Sequence, residues 1–378
     1  MHKTFLLTVL VLLPLCASMV AAEEAEWKPT TEEQAAARQL ASDLGVVLKE
    51  DEKGNVFLLD TAAKRSWVND FQMEQILKFP QLKRLTVEGP SITDGLAPSI
   101  ARLSKLEQLA MRNTLISDAG IAQLAVLKSL KILDLRLSPL VTDKSADSLA
   151  TMAGLRAARI SGVNMTDVGV KKLLELPRLT EIDVRNCRGV TEDGIAAMAD
   201  KKSLRVLKIG GGKINDGVLK TVAGMKQLSS LSLDNCDISD QGVKQLSSLK
   251  LTDLTIYQAP AVTDKGLELL TAFGKLKALT LRDMPATCSA LAKLPNPEKL
   301  RTLNVAQSGI TDQQIVLLSK MTGLEKLILN ETALTDAAVD TLSRLLSLKY
   351  LEATQTQLSV EGVARLREAL PDCSIRVD

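Results

Sequence analysis

Few residues in this chain could do chemistry, and most are disqualified by what they lack. Five cysteines occur, of which Cys187, Cys236, Cys288 and Cys373 lie beyond the first segment. A thiol nucleophile needs a base to take its proton, ordinarily an imidazole. The only histidine is His2, inside a stretch with the marks of an export signal. Histidine triads, histidine metal sites and imidazole acid–base catalysis therefore drop out of the mature protein. Carboxylate or lysine chemistry stays open, but no constellation of residues marks a site for it. Gly210-Gly211-Gly212-Lys213 lies between an expected strand and an expected helix, where phosphate loops also lie. The spacing G-x-x-x-x-G-K-[ST] is absent, which favours a bare turn, with an anion site as the alternative. The sequence assigns no catalytic residue, no cofactor and no metal.

Acidic residues recur in a fixed setting. Thr93-Asp94, Ser117-Asp118, Thr142-Asp143, Thr166-Asp167 and Asn215-Asp216 are among nine such pairs, which could be misread as catalytic or calcium-binding acids. Each stands where an apolar helical run begins. The hydroxyl or amide can cap free amides there, and the aspartate suits the first turn of the helix dipole. Their role is structural. Glycines at the third position after the cap, such as Gly120, Gly169, Gly194, Gly242 and Gly266, are poor helix formers and point to close approach of neighbouring turns.

The elements that carry these residues repeat. Leu179, Ile182 and Val184 are spaced as L-x-x-L-x-L, and Cys187, Val190, a Thr191-Glu192-Asp193-Gly194 cap and a helical run follow. The same unit opens at twelve leucines from Leu82 to Leu348, about 24 residues apart. A period of this length means a stacked repeat, and the strand signature selects the leucine-rich type. Each unit is strand, turn and helix, so the fold class is α/β: a right-handed solenoid, or horseshoe, with a parallel concave sheet inside and helices outside. Cys187 and Cys236 occupy equivalent positions two repeats apart, roughly 9.6 Å at ~4.8 Å per strand step. A disulfide bridges at most about 7 Å between α-carbons, so these two should be buried and unbridged. Cys288 and Cys373 cannot be paired from spacing.

The ends differ from the repeats. His2 and Lys3, the apolar run Phe5–Leu15 and the small residues Val20-Ala21-Ala22 read as a signal peptide over residues 1–22. A membrane anchor needs a longer span, and a lipidated Cys16 would want small residues where Pro14 and Leu15 stand. Residues 23–81 read as an N-terminal cap. It has a helix with Thr31 and Gln34 as capping box, with Ala36, Leu40 and Leu44 on one face. Strands Val46–Leu48 and Val56–Leu59 follow, and a degenerate repeat runs from Leu58 to Gln81. Residues 82–378 are the solenoid of about twelve repeats with a C-terminal cap, where Val363–Leu370 form the last helix and Ser374–Val377 a closing strand. Pro285, Pro295 and Pro297 limit helix over 282–299, giving a shortened outer segment or an irregular edge for a partner. Charge is balanced at +2, and aromatics are 2% of the chain. Neither nucleic acid nor anionic membrane is drawn by bulk charge, and stacking platforms are scarce.

On these repeats the sequence resembles secreted bacterial leucine-rich-repeat proteins of the T-D-x-G type, and its units are similar to the cysteine-containing class found in F-box adaptors. The resemblance spans residues 82–378. It implies a binding scaffold whose concave sheet holds a protein partner. There is no F-box-like segment, and the position after the strand varies through Thr114, Ser138, Cys187, Gly212, Cys236 and Ser308, which breaks any continuous side-chain ladder there. The functional expectation is a non-enzymatic, exported interaction scaffold, monomeric, periplasmic or extracellular. The alternative is an envelope structural protein that assembles with itself.

Stacking also places equivalent positions side by side on the concave face. One row reads Asp134, Arg159, Asp183 and Lys208, an alternating ladder in which neighbours should attract and align the repeats. A second row includes Glu88, Arg112, Arg136, Arg185, Asp234, Tyr257 and Arg282. Arg112, Arg136, Arg185, Tyr257 and Arg282 are the candidate partner-binding residues, with Tyr257 and Arg282 as anchors of the types enriched in hot spots. An ordinary hydrated sheet surface is the competing reading.

Overall fold

A computed structural model describes residues 27–378. The expected signal peptide, residues 1–22, lies outside them. No helix among the described residues is long and apolar enough to cross a membrane. Fifteen strands form one open sheet in strict chain order. Every neighbouring pair is parallel except the first, Val47–Glu50 against Val56–Asp60. The chain leaves each parallel strand, runs through a short helix or 3-10 turn, and returns one step along. The fold is a leucine-rich-repeat solenoid.

Register shows what holds the sheet in phase. Leu59, Leu85, Leu109 and Leu133 lie side by side on successive strands, and the row continues through Ile182 and Leu207 to Leu351. All are buried, so a one-residue slip would turn each strand's apolar set to solvent. A residue one to three positions past the strand takes a left-handed conformation in repeat after repeat, as at Asn113, Asn186 and Asn235, or Gly89, Gly162 and Gly211. Asparagine and glycine tolerate that geometry best. Between Thr114 and Ser138 the row just beyond it does bond, Oγ to Oγ at 3.0 Å, but it does not run on.

The Thr-Asp pairs do more than cap. Thr166 Oγ1 accepts from the Val168 amide at 3.2 Å, as expected of an N-cap. The preceding repeat's Asp143, however, reaches across and accepts both from the Thr166 amide at 2.8 Å and from its hydroxyl at 2.6 Å. The arrangement recurs as ten rungs among the described residues, from Asp70–Thr93 to Asp336–Ser359. The carboxylates therefore stitch repeat to repeat. They also account for the glycines. A Cβ on Gly120, Gly169, Gly194 or Gly242 would sit 1.9–2.4 Å from the previous repeat's aspartate oxygen. Close approach is real, and the neighbour is a carboxylate.

The terminal elements shift from expectation. The first helix is Thr31–Asp43, and its capping box is Thr30 with Glu33 rather than Thr31 with Gln34. Glu33 accepts from the Thr30 amide at 2.7 Å, a charge-assisted bond that a glutamine cannot match. Ala37 and Ala41 are its buried residues, while Leu40 and Leu44 pack at the margin and Ala36 is exposed. Asp51 closes the hairpin by accepting from Lys53 and Asn55 amides at 2.9 Å. Over 282–299 the outer segment shrinks to 3-10 turns at Ser289–Lys293 and Pro297–Lys299. The last helix is Val360–Ala369, and Ser374–Arg376 completes the sheet.

The stitch makes a sharp coupling prediction. Gly194→Ala alone should destabilise by about 1–3 kcal/mol through the clash with Asp167. Asp167→Ala alone should cost a similar ~1–3 kcal/mol, because the Thr191 amide and hydroxyl lose their acceptor. With Asp167 removed, Gly194→Ala should become neutral or gain up to about 1 kcal/mol of helix propensity. Urea unfolding of the four proteins measures the cycle. Additive effects would refute the assignment.

Candidate functional site: the charged face of the sheet

The row Asp134, Arg159, Asp183 and Lys208 is in register, yet its members do not bond to one another. Each buried carboxylate instead takes the arginine two residues on, which points to the same face of the sheet. Arg136 donates to Asp134 through Nε and Nη2, both at 2.8 Å, and Arg185 grips Asp183 at 2.9 and 2.8 Å. Arg112 adds a third bond to Asp134 at 2.8 Å. Arg159 turns to Glu181 at 2.8 and 3.2 Å, and Lys208 reaches the same carboxylate at 3.2 Å. The expected attraction along the row is thus replaced by diagonal pairs. Aspartate is too short to span neighbouring strands, whereas the arginine fork reaches back and binds two oxygens at once.

Burial gives these pairs weight. The side chains of Asp134 and Asp183 are 1% and 0% exposed, roofed by arginines that remain a quarter to a third exposed. Burial opposes ionisation of Asp134, but Arg136 and Arg112 hold its carboxyl below the usual range. Glu181 is likewise depressed, against burial, by Arg159 and Lys208. Asp234 goes the other way: burial raises it despite the Arg185 guanidinium. Arg185 reaches Asp234 at 3.2 Å across the strand that ends in Gly210. A side chain at Gly210 would stand 2.3 Å from the Asp234 carbonyl, so the gap in the row is imposed by the backbone and used by an arginine.

Arg112, Arg136 and Arg185 therefore stand on the face as fixed charges. The like charges of Arg112 and Arg136 share Asp134 between them. Tyr257 and Arg282 are paired in register, with the guanidinium carbon 5.0 Å from the ring centroid, in range of a cation–π contact. Arg282 Nε also donates to Gln307 at 2.9 Å. Both residues are partly exposed, and the adjoining row beside them carries only Ser232, Thr255 and Thr280. Glu181 and Asp234 escaped sequence reading as partners. The recurring Asp-x-Arg of Asp134-Leu135-Arg136 and Asp183-Val184-Arg185 was the available signal for the diagonal pairs.

The cysteines among the described residues offer no activated nucleophile. All four of these are free thiols. Burial pushes Cys187 to about 11, and Cys236 and Cys288 to about 12, so the nucleophilic thiolate is suppressed. Cys187 Sγ donates to the Ile160 carbonyl at 3.0 Å. No cluster of three or more potential ligands suited to a metal ion occurs among the described residues.

Comparison with known proteins agrees with this architecture. Residues 226–247 match the Leucine Rich repeat family. A chain from the crystal structure of the Rad7 and Elc1 complex in yeast is similar over 92% of this chain and 87% of its own, with a TM-score of 0.62 and 18% identity. An internalin, inlF, from Listeria monocytogenes aligns over 90% and 94% at 21% identity and a TM-score of 0.49. A leucine-rich-repeat protein of Leptospira interrogans aligns over 80% and 91% at 16% identity and a TM-score of 0.39. No curated protein matches the sequence. The feature shared with the chain of the Rad7 and Elc1 complex is the fold.

The roofed carboxylates give a pH signature. Folded Asp134 has a lowered pKa, so its contribution is complete above an unfolded value near 4 and is lost as pH falls through the folded value. Glu181 follows the same sign. Raised Asp234 contributes in the opposite sense: its share is present at low pH and fades as pH rises through its folded value. Asp134→Asn should cost on the order of 3 kcal/mol at pH 6, because two arginines lose their counter-charge. That penalty should shrink at pH 3, as read from urea midpoints. A pH-independent penalty would contradict the assignment.

Proposed function

We propose that the protein is a non-enzymatic interaction scaffold, exported and monomeric, whose partner is a protein lying along the open face of the sheet. One observation carries the reading. Tyr257 and Arg282 form a partly exposed aromatic–cation pair on a rigid sheet, flanked by small side chains that leave it accessible. Tyrosine and arginine are enriched among the few residues that dominate the energy of protein interfaces. Arg112, Arg136 and Arg185 lie toward the N-terminal end of the same row, held by Asp134 and Asp183. Fixed charges of one sign steer encounter more than they add affinity. Export rests on the signal-like residues 1–22.

Affinity capture from envelope extract with the mature protein, followed by titration of the captured protein, tests the proposal. Tyr257→Ala and Arg282→Ala should each weaken binding tenfold or more, on the order of 1.4 kcal/mol. Gel filtration should show a single protomer. Unchanged affinity in both variants would move the partner off this face, and self-association without a captured partner would favour the structural role.

A further inference from the structure

Where that face ends and strands turn into helices, the repeats leave a groove of about 720 Å³. Its floor is Gly210-Gly211-Gly212, and its rim carries Arg188, Lys213 and three asparagines, with no carboxylate among the lining residues. The groove exists because a side chain is missing. The two flanking repeats place Cys187 and Cys236 at the equivalent position, and both are buried. Gly212 is exposed instead. Nothing in the fold requires glycine there: its backbone is not left-handed, and an added Cβ would meet nothing within 4 Å. Gly210, by contrast, is forced by the close Asp234 backbone.

The polar groups around the groove are uncommitted. Arg188 and Lys213 are exposed and form no ion pair among the described residues. The Gly212 and Lys213 amides donate to no acceptor among the described residues. Asn186 and Asn235 direct no side-chain hydrogen bond into the protein, while Asn164 spends one donor on the Pro139 carbonyl at 2.7 Å and keeps its oxygen. Asparagine amides and bare backbone match the alternating donors and acceptors of an extended chain, and two cations with no acid among the lining residues call for negative charge. The groove crosses four successive repeats, about 14 Å at ~4.8 Å per step, the length of roughly four extended residues at ~3.3 Å each.

We propose that this groove binds an extended acidic peptide segment, held by Arg188 and Lys213 through its carboxylates and by the glycine floor and asparagines through its backbone. Neither Tyr257 nor Arg282 lines the groove, and the site does not depend on them. The test uses fluorescein-labelled hexaglutamate and fluorescence anisotropy at low salt, with hexaglutamine, inorganic phosphate and trigalacturonate as comparisons. Hexaglutamate should bind saturably, and hexaglutamine at least tenfold more weakly. Arg188→Glu and Lys213→Glu should each lower affinity tenfold or more. Gly212→Trp should fill the groove and abolish binding with an unchanged unfolding midpoint, which separates blockage from misfolding. Tyr257→Ala should leave peptide binding intact. The proposal is overturned if hexaglutamate fails to bind, if hexaglutamine binds equally, or if the Gly212 variant folds and still binds. Displacement by equimolar phosphate or trigalacturonate would also overturn it, since the site would then read an anion or an acidic saccharide.

Discussion

The structure depends on one bond pattern repeated along its convex-side turns: an aspartate in one repeat accepting from the amide and hydroxyl of the next repeat's cap. A single repeat cannot bury its own apolar face, so a solenoid stands on its nearest-neighbour interfaces. The leucine row supplies the apolar part of each interface but is indifferent to small sliding motions. The carboxylate is not. Two acceptor bonds to groups fixed in one helix turn define the distance and rotation of the next unit. The same hydroxyl caps its own helix, so local and long-range order are tied through one oxygen.

The inner face solves a related electrostatic problem differently. Parallel stacking puts like side chains beside like, and Arg112 beside Arg136 would repel. Burying Asp134 beneath both converts the repulsion into a shared, charge-assisted network. Asp183, Arg185 and Asp234 do the same one stretch further on, using the space above Gly210. Such a network resists reorganisation because breaking any member leaves a buried charge uncompensated. The arginine heads are thus displayed at fixed positions, which suits a recognition surface more than a flexible one.

Much of this was readable in the sequence, and what was not has a common cause. Period, strand signature and helix caps are local patterns, and they translate directly into the solenoid, its register and the outward rows. The Asp–Thr stitch was read as a local cap because its second partner lies about 23 residues away, beyond any helix-start rule. The glycines after the caps were sensed as points of close approach, but their neighbour, the preceding aspartate, could not be named without the stacking geometry. The charge ladder failed for a similar reason: register alone says which residues are adjacent, while side-chain length decides which of them bond. Asp134 and Arg159 are adjacent, yet Arg136 and Arg112 reach Asp134 first. At the N-terminus the capping box moved by one residue because the Glu33 carboxylate accepts from the Thr30 amide, while Gln34 donates its side-chain amide to the Pro29 carbonyl.

The two places where the stitch is absent show how tightly sequence and stacking are linked. Thr191 is followed by Glu192 and Thr287 by Cys288, so the next caps, Asn215 and Thr311, receive no aspartate from behind. In both following helices the third residue after the cap is large, Val218 and Gln314, whereas nine of the ten stitched caps carry glycine, alanine or serine there, as at Gly194, Ala338 and Ser145. With no carboxylate to accommodate, a longer side chain fits. The caps then turn inward: Asn215 accepts from both Gly217 and Val218 amides at 2.9 and 3.3 Å, and Thr311 forms a capping box with Gln314. Local capping replaces the inter-repeat bond at each break. The first break adjoins the Gly210–Gly212 turn and its open groove; the second adjoins the proline-rich segment with its short 3-10 turns. Irregular outer structure thus collects where repeats are coupled by apolar packing and the sheet alone, leaving those turns free to vary without disturbing the register of the core.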